Sequence, residues 1–288
     1  MNGYTSANAA ITVDGHKKTL PATLARAVFV DLEVFAGAPA RMIRAGLGDS
    51  LCRPTAQMDW LMSHRILGTP YREAPFDLLA ADEAMLLGAR EALLAGNEEA
   101  MRALARTLIL SGIGMTICGG SYPASQGEHL ISHYVDMLSP PSRAAYLHGE
   151  QVAVAALTMA RLQESMLSVS APVLRPSTVD AGDLEQHFGA EIGAACWDEY
   201  RHKRLYAARA SALTERASAQ WASLQHDAAR VTIPASVLES VMRSAGGPTG
   251  PADIGLDDAF YAAAVAHARF LRNRFTFLDL AADSGVRL

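Results

Sequence analysis

The spacing of apolar and polar residues changes character at about residue 37. Ahead of that point the pattern is strand-like. Residues 9–13 and 18–20 flank Asp14-Gly15, a pair favoured in tight turns, and together they predict a hairpin. The run Arg26-Ala27-Val28-Phe29-Val30-Asp31 predicts a buried strand ending at an acidic turn. Beyond Pro39 the periodicity becomes helical and remains so. It predicts helices near 39–46, 48–67, 75–94, 97–117, 125–138, 148–167, 182–190, 193–226, 234–245 and 257–272.

Several boundaries have a mechanism. Asn97 is a side-chain cap, and Glu98 and Glu99 suit the positive end of the helix that follows. Pro234 belongs in a first helical turn, where its missing N–H costs least, and Gly246-Gly247-Pro248 stops that helix. Asp257-Asp258 opens the last long helix. Pro54, inside the helix predicted at 48–67, requires a kink or a late helix start. Residues 168–183, with Pro172 and Pro176, form the clearest loop, and no internal repeat is visible.

With 288 residues, half of them apolar, the chain can bury a substantial core. Its net charge of -5 argues against a general nucleic-acid binder. The two densest basic stretches, Arg201-His202-Lys203-Arg204 and residues 269–274, read as solvated helix ends. Cys52, Cys118 and Cys196 are scattered, with no CxxC pair. That excludes a disulfide framework and a thiolate zinc knuckle, and suits a reducing cytoplasm. The N-terminus lacks a basic segment followed by an apolar one, and the run LILSGIGMTICGG is too short and too glycine-rich to cross a bilayer. The expectation is a soluble cytoplasmic protein with no membrane partner.

Chemistry concentrates in the middle of the chain. His129, His133 and Asp136 stand at i, i+4 and i+7, one polar stripe on a helix beside Leu130, Ile131 and Tyr134. His148 opens the next helix, and Asp49 lies upstream. Two imidazoles and a carboxylate from separate helices are the usual protein share of a catalytic divalent-metal site. Each residue alone has a plainer reading. The HxxxH pair lacks the glutamate of HExxH and can be a surface stripe, His148 a cap, and Asp49 an N-terminal helix acid. Gly119-Gly120 can be a simple helix stop, Cys118 a small core residue and His267 a helix cap. His16, His64, His187, His202 and His226 receive no role.

Three segments resemble one family: GLGD (46–49), GGSYPASQGEHLISH (119–133) and LHGEQVAVA (147–155). They are similar to the helical domain of the iron-containing alcohol dehydrogenase superfamily, in its sn-glycerol-1-phosphate dehydrogenase branch, relatives of 3-dehydroquinate synthase. The run HARFLRNRFTFLDL also looks like that group's closing helix and strand-like tail. The resemblance implies a mainly α protein with the dehydroquinate synthase-like fold. Residues 37–288 would form a helical metal-binding domain, and residues 1–36 a β-rich remnant of a nucleotide-binding domain. Asp49, His129 and His148 would be ligands of zinc, iron or nickel. His133 would be a proton-relay or substrate group in the same cavity, and Asn2, Arg53 and Tyr122 would contact substrate.

The implied activity is an NAD(P)-linked, metal-dependent oxidation or reduction of a small polyol or polyol phosphate. Three departures bear on it. No GxGxxG phosphate loop follows a strand, so the implied NAD(P) domain is absent and activity of this chain alone is expected to be impaired. Asn2 stands where the branch has an aspartate, and Tyr122 where it has an arginine. Arg53 keeps a positive charge where the branch has a lysine. Two alternatives remain, a non-catalytic metal-binding or interaction module and a 3-dehydroquinate synthase-like lyase. A homo-oligomer is expected, because loss of the cofactor domain would expose its docking face.

Overall fold

A computed structural model describes residues 2–88, 90–140 and 144–286. Its sheet is a single antiparallel hairpin, β1 (Asn8–Val13) and β2 (His16–Pro21), running in register from Val13 opposite His16 to Asn8 opposite Pro21. Asp14 and Gly15 both take positive φ, 51° and 73°, as a tight two-residue hairpin turn demands. The expected strand at 26–31 does not form. Those residues pair with no neighbour, and Phe29 is 94 % exposed. A strand needs a ladder partner, and among the described residues the sheet has only two strands. Asp31 instead caps α1 (Leu32–Ala36), accepting the N–H groups of Glu33 and Val34.

Helices follow. α2 (Ala40–Ser50) and α3 (Arg53–Leu67) meet at a late start that places Pro54 in the first turn of α3. The helix expected at 75–94 opens with a separate short one, α4 (Ala74–Asp77), and continues as α5 (Ala80–Gly88) and α6 (Arg90–Leu94), between which residue 89 lies outside the described residues. α7 (Glu98–Cys118) is capped by Asn97 and stopped by Gly119 at φ 65°. α8 (Gly127–Leu138) and α9 (His148–Leu167) carry the histidine motifs. Residues 193–226 divide between α11 (Ala190–Tyr200) and α12 (Ala207–Val231), after α10 (Ala181–Phe188). α13 (Ala235–Ser244), α14 (Asp258–His267) and α15 (Phe277–Ser284) complete the order. The strand-like tail is thus a helix, started by the Thr276 side chain.

α9 is the spine. One side of it places Val154, Ala155 and Met159 in a core with Met58, Ile66 and Ile131. Its other side places Ala153, Leu157 and Ala160 against Leu47, Met101 and Leu104. A helix apolar on nearly every side has to be buried on every side. α7 is the one helix among the described residues long and apolar enough to span a membrane. In this fold, however, Met101, Leu104 and Leu108 of α7 are buried in the second core.

The basic stretches are solvated helix ends only in part: Arg201 and His202 are exposed past the end of α11, but other members turn inward. Lys203 is buried and reaches Asp279 at 2.9 Å and the Arg274 carbonyl at 2.6 Å. Arg269, also buried, pairs with Asp283 at 2.7 Å and Asp279 at 3.2 Å. Two cations and two anions cancel, which is what allows this charge inside.

Candidate metal centre

The candidate ligands come together because two helices touch at glycines. α2 and α9 cross where a Cβ on Gly149 would overlap the backbone of Ala45, and one on Gly48 would overlap the Gly149 carbonyl. Only bare backbone permits this approach. It sets Asp49, in the last turn of α2, beside His148 at the start of α9. Arg41 of α2 then grips Glu150 of α9 with two bonds, Nε to Oε1 at 2.6 Å and Nη2 to Oε2 at 2.7 Å. Glu150 Oε2 also accepts the Leu147 N–H at 2.8 Å, which fixes the first turn that carries His148. Asp49 therefore lies at a helix C-terminus, not at the N-terminus expected for a simple helix acid.

The start of α8 is fixed by a residue the sequence did not single out. Asp59, fully buried in α3, accepts the Gly127 N–H at 2.9 Å and the Phe277 N–H at 2.8 Å, so that one carboxylate begins both α8 and α15. Burial, with the Glu128 charge beside it, pushes its carboxyl up to about 8. Its only sequence signal is a lone acid between apolar neighbours in α3.

Both candidate imidazoles are held with one nitrogen facing Asp49. His129 Nδ1 lies 2.9 Å from Glu128 Oε1, which directs Nε2 toward Asp49 Oδ1, 3.6 Å away. His148 Nδ1 lies 3.3 Å from Ser132 Oγ, and its Nε2 is 3.8 Å from the same Asp49 oxygen. Ser132 donates to Gln151 Oε1 at 3.2 Å, so it receives the Nδ1 proton of His148. Gln151 Nε2 donates to Asp136 at 3.1 Å, and Asp136 pairs with Lys17 of β2 at 2.9 Å. Fixing the tautomer of a ligating histidine through its other nitrogen is the usual support of a metal site.

The three donor atoms lie within 4.8 Å of one another. Bonds of about 2.0–2.1 Å to a tetrahedral ion separate donors by roughly 3.4 Å. A divalent ion therefore fits between Asp49, His129 and His148 after small side-chain shifts. Cys52, Glu128 and His129 form a second group of the same span. Burial pushes the Cys52 thiol up to about 11, so it is a poor ligand unless an ion displaces its proton.

His129 and His148 border a cavity of about 360 Å³, also lined by Asn8, Lys17 and Thr19 of the hairpin and by Ser121 and Ser125; Asp49 lies behind the two imidazoles. His133 lines it too. Its ring centroid is 6.2 Å from that of His129 and 6.5 Å from that of His148, so it is a neighbour of the cluster rather than a member. Burial first, then the His129 and His148 charges, hold His133 well below the usual imidazole range. Burial would raise the Asp49 carboxyl, but the hydrogen bond with His129 and the charges of both histidines outweigh it, and the group is held below its ordinary value.

The remaining site expectations fare differently. Arg53 points into the protein against Glu83, with its side chain 3 % exposed, and does not line the cavity. Tyr122 faces away, stacked on Trp60 with centroids 5.8 Å apart and beneath the Arg274 guanidinium. An aromatic ring buries against aromatic neighbours where an arginine would reach for charge. The Asn2 side chain lies outside the described residues. Cys118 is no part of either ligand group, and His267 accepts the role of a helix-end residue, bonded to the Ala263 carbonyl at 2.9 Å.

A mainly helical protein with two oriented imidazoles at one cavity and a carboxylate beside both is the class that fold and site define. No family model matches the chain. Curated relatives do. Glycerol-1-phosphate dehydrogenase (NAD(P)+) of Bacillus licheniformis is 27 % identical over 287 residues, 99 % of this chain and 60 % of the relative. The protein of the same name from Bacillus subtilis strain 168 is 30 % identical over 282 residues, 97 % of this chain and 61 % of its own length. That of Thermococcus kodakarensis is 37 % identical over 179 residues, 59 % of this chain and 50 % of the relative. The chain is thus related along nearly its whole length to glycerol-1-phosphate dehydrogenases, the branch its motifs resemble. It spans about three fifths of the length of the Bacillus proteins.

Proposed function

We propose that this chain carries the metal-binding part of an NAD(P)-linked dehydrogenase acting on a small polyol phosphate, of the glycerol-1-phosphate type. The observation behind this reading is the convergence of Asp49, His129 and His148 beside a cavity, within motifs shared with relatives of that name. A divalent ion, zinc, iron or nickel, would supply Lewis acidity there, lowering the pKa of an alcohol oxygen. Glu128 and Ser132 keep both imidazoles in the ligating tautomer. Asp49 stays ionised. His133, held neutral, can take up a proton from the substrate hydroxyl, directly or through water. Lys17, Thr19, Ser121 and Ser125 offer a cation and hydroxyls to a polyol phosphate.

The described residues do not fit a dinucleotide. The sheet has two strands, and no GxGxxG turn joins a strand to a helix to cradle a pyrophosphate. No hydride step is therefore placed on this structure. A second reading of the same ligand set is a metal-binding module without catalysis of its own.

In the leading reading, residues 37–288 are the metal-binding domain and residues 1–36 its β-rich approach. The cytoplasm is its setting, in keeping with three free cysteines among the described residues. Exposed Phe29, Val34 and Met42 are the surface on which a second copy would dock. Calorimetric titration separates the two readings. The zinc-loaded chain should bind sn-glycerol 1-phosphate more tightly than glycerol, and His148→Ala should abolish the difference. A zinc-loaded chain indifferent to both compounds would sink the dehydrogenase reading and leave the module.

A further inference from the structure

Lys203 and Arg274, one from each basic stretch, meet Arg72 and Arg209 at a second cavity, of about 450 Å³. One loop divides it from the metal cavity. Ser121, Ala124 and Ser125 border the metal cavity, while Tyr122 and Gln126 border this one. Its wall holds four cationic side chains, Arg72, Lys203, Arg209 and Arg274, and no carboxylate.

Lys203 is neutralised by Asp279. Among the described residues the three guanidiniums have no carboxylate within ion-pair distance. Arg72 donates to the Ile117 carbonyl at 3.3 Å. Arg209 donates to the carbonyls of His202, at 2.9 Å, and Arg204, at 3.4 Å. Arg274 donates to the Ser125 carbonyl and, at 3.0 Å, to Ser121 Oγ. Two acids reach Arg274 with their fields and neither is in the wall: Glu128 Oε1 accepts the Gln126 N–H at 2.8 Å and lies against His129, and Glu199 Oε2 is on the Asn273 N–H at 2.8 Å. Carbonyl and hydroxyl oxygens satisfy donors but cancel no charge. Each guanidinium has five N–H donors and uses one or two. Three like charges with spare donors line one hollow, and an anion placed among them is attracted by all three and takes up those donors.

The rest of the wall selects the kind of anion. Trp60, Leu67 and Phe275 make one side apolar. The volume falls within the roughly 300–1,000 Å³ of small-molecule sites and exceeds the needs of a bare inorganic ion. We propose that this cavity is a binding site for an organic phosphate monoester, distinct from the metal cavity and independent of the function proposed for it. The phosphate sits among Arg72, Arg209 and Arg274, and the carbon body lies against the apolar side.

Phenyl phosphate is a suitable test ligand, titrated by calorimetry against sodium chloride of equal ionic strength. The parent chain should bind it with a sub-millimolar Kd. R72Q/R209Q should weaken binding at least tenfold, and R209K, which keeps the charge but loses the planar fork, should fall between. His148→Ala should bind as the parent does. Far-ultraviolet circular dichroism of each variant checks that it is folded. Parent-like binding by R72Q/R209Q, loss of binding in His148→Ala, or an equal response to chloride would each overturn the proposal. The last of these would reduce the cavity's effect to general screening.

Discussion

Replacing Gly149 by alanine should unseat the metal centre without touching a ligand. A Cβ there would stand 2.6 Å from the Ala45 carbonyl carbon and 3.1 Å from the Ala45 Cα. Carbon atoms in ordinary contact are about 3.5–4.0 Å apart, so α2 and α9 must separate by roughly 1 Å. His148 precedes the substituted residue, and Asp49 is one helical turn beyond Ala45. Their Nε2–Oδ1 separation of 3.8 Å would widen correspondingly, to nearly 5 Å. An ion with bonds of about 2 Å cannot hold two donors more than about 4 Å apart. Zinc affinity should therefore fall at least a hundredfold. Overpacking costs about 1–3 kcal/mol, and the helix preference of alanine returns roughly 0.5–1 kcal/mol, leaving a net loss of about 1–2 kcal/mol. Urea unfolding of the metal-free protein gives the second quantity, and titration against a competing chelator gives the first. Gly88→Ala is the control, because a Cβ there meets open space. It should keep parent zinc affinity. A Gly149→Ala protein with parent zinc affinity would refute the claim that this glycine contact builds the site.

Three further outcomes are expected. Asp59→Leu leaves two buried helix-start N–H groups without an acceptor, at about 1–3 kcal/mol each, so urea unfolding should show a loss of about 2–6 kcal/mol; a loss below 1 kcal/mol would dismiss the double cap. His16 is buried, and burial first, then the Arg272 charge, lowers it to about 4. Because the folded value lies below the unfolded one, its contribution is present above about pH 6.5 and is lost as pH falls through 4. Stability should drop by on the order of 2–3 kcal/mol across that window and be flatter in His16→Leu, whereas identical profiles would count against the buried-histidine explanation. Lys17→Met removes the last member of the chain from His148 through Ser132, Gln151 and Asp136, and should weaken zinc about tenfold while Lys17→Arg restores it. Equal zinc affinity in all three proteins would show that the hairpin plays no part in the metal site.

Local signals in the chain were readable where their cause was local. Asp14-Gly15 announced the hairpin, Asn97 and Asp257 announced helix starts, and Pro54 announced a late one. What escaped depends on contacts distant in sequence. The strand at 26–31 had the right composition but found no ladder, and propensity cannot supply a partner. The helix at 193–226 broke because Lys203 turns inward to Asp279, a carboxylate 76 residues away. The tail became α15 because Asp59, 218 residues earlier, accepts its first N–H. Asp49, His129 and His148 were visible as residues through the family motifs. Their convergence was not, since it rests on Gly48 and Gly149, which as glycines announce permission for close approach but not the surface approached. Arg53 and Tyr122 were carried over by position alone, and the ion pair with Glu83 and the stack on Trp60 turn them elsewhere.

The most direct test of the metal centre is the metal content of the purified chain after reconstitution with zinc, compared with Asp49→Ala, His129→Ala, His148→Ala and Cys52→Ser. About one zinc per chain is expected in the parent and in Cys52→Ser, with loss in the other three. A parent that holds no metal would contradict the site outright. Zinc retained in His148→Ala but lost in Cys52→Ser would place the ion among Cys52, Glu128 and His129 instead, and the assignment of Asp49 and His148 would fall.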